Sequence, residues 1–507
     1  MADNTPVIIG VGQVSERVGE ENYRERSPMD LAGDALAAAL ADARGGGGST
    51  RKLALALDTV AAIRQFEISG TRYAPPFGHA NNPPRAIARR AGANPQRAIL
   101  EVVGGQGPQR LVGELAAEIA AGRSKMAAIV GSEAISTMRA LQARGESRDW
   151  SEVRRGTIED RGYGYDGVVD MTSLKHGVGA PIAGYALAEN VRRERLGLSL
   201  AEYRTEIGKL FAPFTTVAAA NPHSAAPTQR SASELAELTD RNRLVAEPYG
   251  RLVVARDQVN QGAAIVLASV AEARRLGVPE SHWVHIHGVA DCAEPSMLTR
   301  ENIERSPAAV TAISSALELA QTSFEKLSAT DFYSCFAIPV FNLLDAFGLD
   351  RDDPRGWTLT GGLPFFGGAG NNYSGHAIAQ AVLRCRADPG GMVLVGANGG
   401  IMSKYAAGVY STAPANWSAS RWRSLDKIKP HWEVLDTFDG EAVAESFTIQ
   451  PGMHGEVATV VALADNARVL ANSADPAICA ELRKGKIAGR TVRIEDDGTG
   501  RNRFWFI

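Results

Sequence analysis

The sequence predicts a duplicated α/β core with an insertion, followed by a small β-rich domain. Three observations point there. The segment LVGELAAEIAAGRSKMAAIVGSEA (111–134) runs helix, turn, strand, small-residue turn, and HAIAQAVLRCRADPGGMVLVGANGG (376–400) does the same, ending VGANG where the first ends VGSEA. Each unit is entered through a glycine-rich loop, GGQG (104–107) and GGLPFFGGAGNN (361–372), and matched helix–strand units of this kind suggest duplication. After about residue 412, short alternating apolar segments separated by turn residues replace that rhythm.

In chain order, VIIGVGQV (7–14) reads as a buried strand. SPMDLAGDALAAALADA (27–43) reads as a helix with Ser27 as N-cap, Pro28 at the first position and an acidic first turn. ARGGGGST (43–50) is a surface loop and NPPRAIARRAG (82–92) a second capped helix. KMAAIVGSEA (125–134) is a strand. Residues 140–250 are richer in charge, as in ESRDWSEVRRGTIEDRGYGYD (146–166), and read as an insertion over the core, with NPHSAAPT (221–228) as a loop. Sheet character returns at 262–278 and at WVHIHGVA (283–290). PANWSASRWRS (414–424) reads as a linker. WEVLDTF, AVAESFTIQ, GEVATVVALA, RTVRIED and NRFWFI then supply strands, ADPAICAELRKGKI (474–487) a lone helix, and a small OB-like barrel fits that set.

Composition narrows the class. The chain has 507 residues, 45% hydrophobic and 22% charged, with a net charge of −3. That length implies more than one domain. No strong basic field argues for nucleic acid, and no run of about eighteen apolar residues argues for a membrane span. The four cysteines, at 292, 335, 385 and 479, stand far apart without a CxxC, which argues for a reducing compartment with neither disulfides nor a cysteine zinc site. MADNTPVIIG lacks a signal-peptide pattern. A cytoplasmic enzyme or binding protein is expected.

Several motifs carry less than they suggest. GVG (10–12) follows a strand, but Ser15 holds the third glycine position and a polar stretch follows, so no dinucleotide fingerprint is read. His285 and His287 share one strand face without nearby carboxylates or cysteines, so packing or exposure is expected rather than a metal. In DFYSCFAIPVFNLLDAFG (331–348), a strand end delivers Tyr333, Ser334 and Cys335 to the start of a helix. Cys335 is core by default, or a thiol of lowered pKa at that helix start. His376 stands at another helix start, as general base or as packing.

Taken in order, these segments resemble the thiolase superfamily, most closely the sterol-carrier-protein-type thiolases and, more narrowly, thiolase-like proteins with an additional C-terminal domain, a group often labelled acetyl-CoA acetyltransferase. The resemblance runs from about residue 5 to 411 through VIIGVGQV, NPPRAIARRAGANPQRAILEVV, GVGAPIAGYALAEN (177–190), NQGAAIVLASVAEARRLG (260–277) and TGGLPFFGG (360–368). It implies two βαβαβαββ halves in a five-layered αβαβα core. The N-terminal half covers 1–139 and 251–280, a loop domain that would hold coenzyme A covers 140–250, and the C-terminal half covers 281–412. A linker (413–424) and a β-rich OB-like domain (425–507) complete the chain.

The departures from the family pattern bear on chemistry. Where a thiolase carries its nucleophilic cysteine, this chain offers Gly104 by motif letters or Gly105 by counting back from Glu133. Gly368 and Ala369 replace the His-Pro of the histidine loop, Tyr333-Ser334-Cys335-Phe336 replaces the family's Asn-Glu-Ala-Phe or His-Asp-Cys-Phe element, and the last turn, around Asn398-Gly399-Gly400, has no cysteine. With nucleophile, base and proton shuttle gone, ordinary ping-pong Claisen chemistry has no route. Backbone donors survive such losses. The resemblance therefore implies an oxyanion or substrate site around Gly104, Gly105, Gln106, Gly368, Asn398 and Gly400, with Tyr333, Cys335 and His376 as the side chains nominated for acid–base work. The expected ligand is CoA or an acyl-CoA thioester, with no further cofactor and no metal, in a monomer or homodimer. Two readings stay open: non-covalent acyl-CoA chemistry, or a non-catalytic scaffold or subunit that works with a partner enzyme.

Overall fold

A computed structural model describes residues 2–45, 49–70, 74–165, 170–417 and 421–507. The N-terminal half contains β1 (Pro6–Ser15), α1 (Pro28–Arg44), α2 (Thr50–Ala56), β2 (Thr59–Ala62), α3 (Pro83–Arg90), β3 (Arg97–Leu100), α4 (Gly107–Ala120), β4 (Met126–Ala134), α5 (Ile135–Ala143) and β5 (Glu159–Asp160). Helix α1 starts where capping chemistry puts it. Ser27 and Asp30 form a reciprocal capping box and Pro28 follows the cap. Asn82 does not cap α3 as expected; its side chain donates to the Gly156 carbonyl instead. The GVG stretch serves packing. A Cβ on Gly10 would fall 2.8 Å from the Ala43 Cβ, and one on Gly12 2.9 Å from the Ala38 Cβ, so α1 lies directly on β1.

The insertion supplies α6 (Met171–Lys175), α7 (Pro181–Arg195), α8 (Leu200–Ala220), α9 (Ala232–Ala236) and the short pair β6 (Leu244–Ala246) and β7 (Tyr249–Gly250). Strand β8 (Asn260–Ser269) closes the N-terminal half, and 270–275, expected to continue the sheet, forms α10 (Val270–Arg275) with Ser269 as its N-cap. The C-terminal half follows as β9 (Val284–Ala293), α11 (Pro307–Ala320), β10 (Leu327–Asp331), α12 (Ala337–Phe347), α13 (Tyr373–Ala387), β11 (Met392–Gly399), β12 (Lys404–Ser411) and β13 (Trp422–Ser424).

The strand order β10-β11-β12-β9-β1-β8-β4-β2-β3-β5 is symmetric about the junction of β9 and β1. Reading outward, β9, β12, β11 and β10 match β1, β8, β4 and β2, with the same parallel and antiparallel neighbours. The duplication is real. The halves are not identical, because the C-terminal one has no counterpart of β3 among the described residues. There the amides of Leu359 and Thr360 donate to the Asp331 carboxylate, which takes them out of any ladder.

Alternation along the strands builds the layers. Val7, Val60, Ala128 and Val266 face an outer layer with α1 and α3. Ile8, Ala61, Ile129 and Ile265 face a central layer that contains both α4 and α13, covered on its far side by Val393 and Val395. A third cluster joins α11 and α12 to α7 and α8 of the insertion. The result is an αβαβα stack.

Two stretches depart from their sequence reading. Residues 146–161 are not an overlay on the core. Trp150 packs edge-on against Phe77 at 5.0 Å, and β5 pairs with β3, so this strap extends the sheet edge of the N-terminal half. The linker expected at 413–424 is partly a strand: β13 pairs in parallel with β9, and Trp422 packs against Gly113 of α4 and donates to Asp291 at 3.0 Å. Residues 418–420 of that stretch lie outside the described residues, as do 46–48 of the glycine loop and 166 of the charged stretch.

The C-terminal domain contains β14 (Glu433–Leu435), β15 (Gly440–Gly452), β16 (Gly455–Ala464), β17 (Ala467–Ser473), α14 (Pro476–Lys484), β18 (Thr491–Asp496) and β19 (Asn502–Phe506). Strand β17 escaped the sequence reading, its ARVLANS lying a two-residue turn after β16. The pairings β15–β16, β16–β17, β17–β19, β19–β18 and β18–β15 close a five-stranded barrel with α14 between its third and fourth strands, the OB arrangement. It docks on α7: Asn190 donates to Phe447 O at 2.9 Å, and Ser446 donates to Leu187 O at 2.7 Å.

The strap is held by charge. Glu101, fully buried, takes Arg110 and Arg161 at 2.7 Å each, and Arg161 also bonds Glu114. Replacing Arg161 with Met leaves Glu101 with one cation. The expected loss is about 2 kcal/mol, read as a lower urea midpoint together with faster tryptic cleavage within 146–165.

Candidate active site

Strand β3 runs into a turn at 101–106 that feeds α4, with Pro108 in the helix's first turn. Gly104 has φ +135°, a conformation that side chains rarely adopt. Its N–H donates to Asn371 Oδ1 at 2.9 Å, and Asn371 Nδ2 reaches Arg64 O at 2.7 Å. The Gly105 carbonyl accepts from Ser374 Oγ at 2.5 Å. The first glycine turn is thus tied to the start of α13, the matching helix of the other half.

Space at the turn is already taken. A Cβ on Gly105 would fall 2.6 Å from the Tyr333 Cζ and 2.6 Å from the Asn398 carbonyl oxygen, and nearer still to the Tyr333 hydroxyl. The phenol occupies the place of a side chain at 105. The Gln106 carboxamide wedges between the two turns: its Cδ lies 2.9 Å from where a Cβ would stand on either Gly104 or Gly399. Its Oε1 is buried without a partner, as is Asn398 Oδ1.

Tyr333 and Cys335 arrive on the short connection between β10 and α12, and Asn398 on β11. Asn398 Nδ2 points to Cys335 Sγ at 3.8 Å and to Tyr185 OH at 2.8 Å. Tyr185 comes from α7, stacks on Phe336 at 4.4 Å, and donates to the Gly400 carbonyl at 2.8 Å. The structure therefore gathers Gly104, Gly105, Gln106, Tyr333, Cys335, Asn398 and Gly400. Sequence reasoning quoted the GVGAPIAGYALAEN segment but missed Tyr185 as a site residue, because it comes from the insertion, far along the chain from both glycine-rich turns. Burial pushes the Cys335 thiol up to about 12 and raises the Tyr333 phenol too, so both stay protonated at neutral pH. Cys335 at this helix start is not the low-pKa thiol that the sequence left open.

Two nominated residues lie elsewhere. His376 faces β1: its Nδ1 meets Gln13 Oε1 at 2.9 Å and its ring sits edge-on to Phe366 at 5.1 Å. Full burial lowers it to about 3, too weak a base for neutral pH. His376 is thus a buried, neutral ring held between Gln13 and Phe366. Gly368 donates to Arg256 O at 2.8 Å, and a Cβ there would sit 3.3 Å from that oxygen rather than toward Gly105. The expectation of an oxyanion donor at Gly104 also changes, since Asn371 already takes that N–H. His285 and His287 are buried strand residues, the former lowered to about 4 by burial and by His287. Among the described residues no group of three or more His, Cys, Asp or Glu is placed to hold a metal ion, and no helix is long and apolar enough to cross a membrane.

A cavity of about 440 Å³ opens beside this cluster. Five arginines line it, Arg230, Arg241, Arg243, Arg251 and Arg256, against one acid, Asp257, and Val245, Leu252 and Phe365 add apolar wall. The Arg256 Nε is buried without a partner. The Ala255 amide, in the same wall, donates to Cys335 O at 2.9 Å. The spacing of arginines across 230–256 was visible in the sequence, but only the fold brings them together.

The full chain is 40% identical to a monomeric SCP2-thiolase like protein type 1 from Mycobacterium smegmatis, covering all of both chains with a TM-score of 0.84. This chain belongs to the SCP2-thiolase-like protein type 1 family. A profile described as the thiolase-like protein type 1 additional C-terminal domain matches residues 426–499, the barrel. Fold likeness extends to an Ltp2-ChsH2(DUF35) aldolase (18% identity, 81% of this chain and 98% of that one, TM-score 0.57) and to an acetyl-CoA acetyltransferase from Syntrophomonas wolfei (16%, 82% and 100%, TM-score 0.54). No curated protein sequence matches the chain. In this thiolase-like chain the turn at Gly104 and Gly105 is crowded by Tyr333 and Asn398 from across the fold.

Two outcomes follow. Gly105→Cys must displace the Tyr333 phenol, so it should cost about 1–3 kcal/mol. In a Tyr333→Ala background the same change should cost less, a coupling that a double-mutant cycle with urea unfolding measures. Separately, His376 and His285 are neutral in the fold and protonate once unfolded. Their contribution is complete above the ordinary histidine pKa of about 6.5 and is lost as pH falls toward about 3 and about 4. Stability should fall by about 1.4 kcal/mol per pH unit for each within that window, and His376→Gln should flatten the slope.

Proposed function

We propose that this protein binds CoA or acyl-CoA thioesters and does not carry out ordinary thiolase chemistry. The observation that carries the reading is the five-arginine cavity, joined through Ala255 to the backbone of Cys335. Guanidinium groups suit phosphate oxygens through paired, charge-assisted hydrogen bonds. CoA presents such anions at one end and a long, mostly apolar arm at the other, and Val245, Leu252 and Phe365 offer that arm a wall. Arg256, with its Nε unpartnered, is the donor with most to gain from an anion.

Binding without turnover is favoured over non-covalent catalysis. The Gly104 N–H is engaged, the Gly105 position is filled by Tyr333, and Cys335 holds its proton. The barrel docked on α7 supports the scaffold form of this reading, as a monomer or homodimer in the cytoplasm, with CoA a ligand rather than a resident cofactor.

Calorimetric titration with CoA and acetyl-CoA should give saturable binding, and Arg243→Glu or Arg251→Glu should weaken it at least tenfold. Intact-mass measurement after incubation with acetyl-CoA should show no acyl adduct. Absence of any binding by the unaltered protein would sink the proposal, and a stoichiometric adduct would sink its non-covalent part.

A further inference from the structure

A second cavity, about 890 Å³, shares no lining residue with the arginine cavity. It lies where the open face of the barrel meets the end of α6. One wall is the barrel: the ends of β15 and β17, the turn at 497–501, and β19. The other is the segment Leu174–Gly177. This joint is built rather than accidental. His176 Nδ1 bonds Thr172 O at 2.9 Å, its Nε2 accepts the Asn502 N–H at 2.9 Å, and Asn472 Nδ2 donates to His176 O at 3.1 Å. The ring is thereby fixed as the neutral Nδ1–H tautomer.

The chemistry of the lining is uneven. Val457, Ile478 and the partly exposed Trp505 give an apolar wall. Lys175, Arg501 and Arg503 give positive charge, and the acids Asp475 and Asp497 are occupied. Asp475 caps α14, and Asp497 accepts from Thr499 and pairs with Arg503 at 3.5 Å. Lys175 and Arg501 have no ion pair within 4 Å among the described residues. Both lie near enough to His176 to disfavour its protonation. Two unpaired cations beside a flat apolar wall suit a phosphate attached to a ring. The segment 174–177 lies across the barrel face, and two cations match one phosphate group better than a polyanion, so a compact ligand fits this site better than a nucleic-acid strand.

We propose that the cleft between Leu174–Gly177 and the barrel is a second ligand site, for a phosphorylated small molecule with a flat ring, of the mononucleotide class. Its phosphate lies between Lys175 and Arg501, and its ring lies on the Trp505 and Ile478 wall. The site does not depend on the CoA reading.

ADP is the probe, titrated into the full-length protein with calorimetry and tryptophan fluorescence. One saturable site per chain is expected. Lys175→Glu and Arg501→Glu, both at solvent-reachable positions, should each weaken it at least tenfold. Arg243→Glu should leave it unchanged, which separates this site from the arginine cavity. Trp505→Phe should remove most of the fluorescence change while calorimetric binding persists, and adenosine should bind at least tenfold more weakly than ADP. No saturable ADP binding, or equal affinity in Lys175→Glu and Arg501→Glu, overturns the proposal. So does affinity for single-stranded DNA that exceeds that for ADP and grows with strand length, since the face then serves a polymer.

Discussion

Everything in the core depends on burying α4 and α13 together between the two halves of the sheet. Their shared layer is lined by Leu111, Leu115, Ile119, Ala377, Ala381 and Val382, while the polar side chains of α4, Arg110 and Glu114, turn outward to the strap. Stacking them back to back brings their entry loops into contact. Ser374 therefore reaches Gly105, and Asn371 reaches Gly104, across more than 260 residues of sequence. The site is a by-product of that layer. Its backbone geometry is tied to that layer through the Asn371 and Ser374 hydrogen bonds.

That separation leaves the side chains around the turn free to differ while the layer stays packed. Gly104 holds a left-handed conformation, and Tyr333, Gln106 and Asn398 occupy the places where side chains at 104 and 105 would stand. Each filling group comes from a different element. Removing one would leave a buried void or an unpaired polar atom, and both are costly. The filled turn is a packed piece of core, stabilised by the same interactions as its surroundings.

Much of this was legible in the sequence, and the rest was not for identifiable reasons. The capped start of α1, the repeated helix–strand unit and the barrel strands rest on local signals: Ser27 with Asp30, glycine loops, period-two alternation. The glycine turn and the absent thiol were equally local. Tyr333 filling Gly105, Tyr185 bridging Asn398 and Gly400, and His376 turning toward Gln13 are set by tertiary packing between residues tens to hundreds of positions apart. Strand β17 was missed because a tight turn hides it behind β16. Strand β13 was missed because three residues with a Trp and an Arg carry no strand period. The strap at 146–161 reads as solvated charge until Glu101 is seen buried beneath Arg161.

Arg468 has a further meaning for how the chain is organised. It is among the largest fully buried side chains, lies on a barrel strand, and donates to the carbonyls of Leu298, Arg300 and Glu301 in the core as well as to Glu445. Opening the seam would leave Arg468 with Glu445 of barrel strand β15, but would bare the carbonyls of Leu298, Arg300 and Glu301 on the other side. The barrel is therefore not a tethered accessory. Because its acceptors in the core are main-chain carbonyls, the seam reads the path of the 298–301 backbone rather than the identity of its side chains.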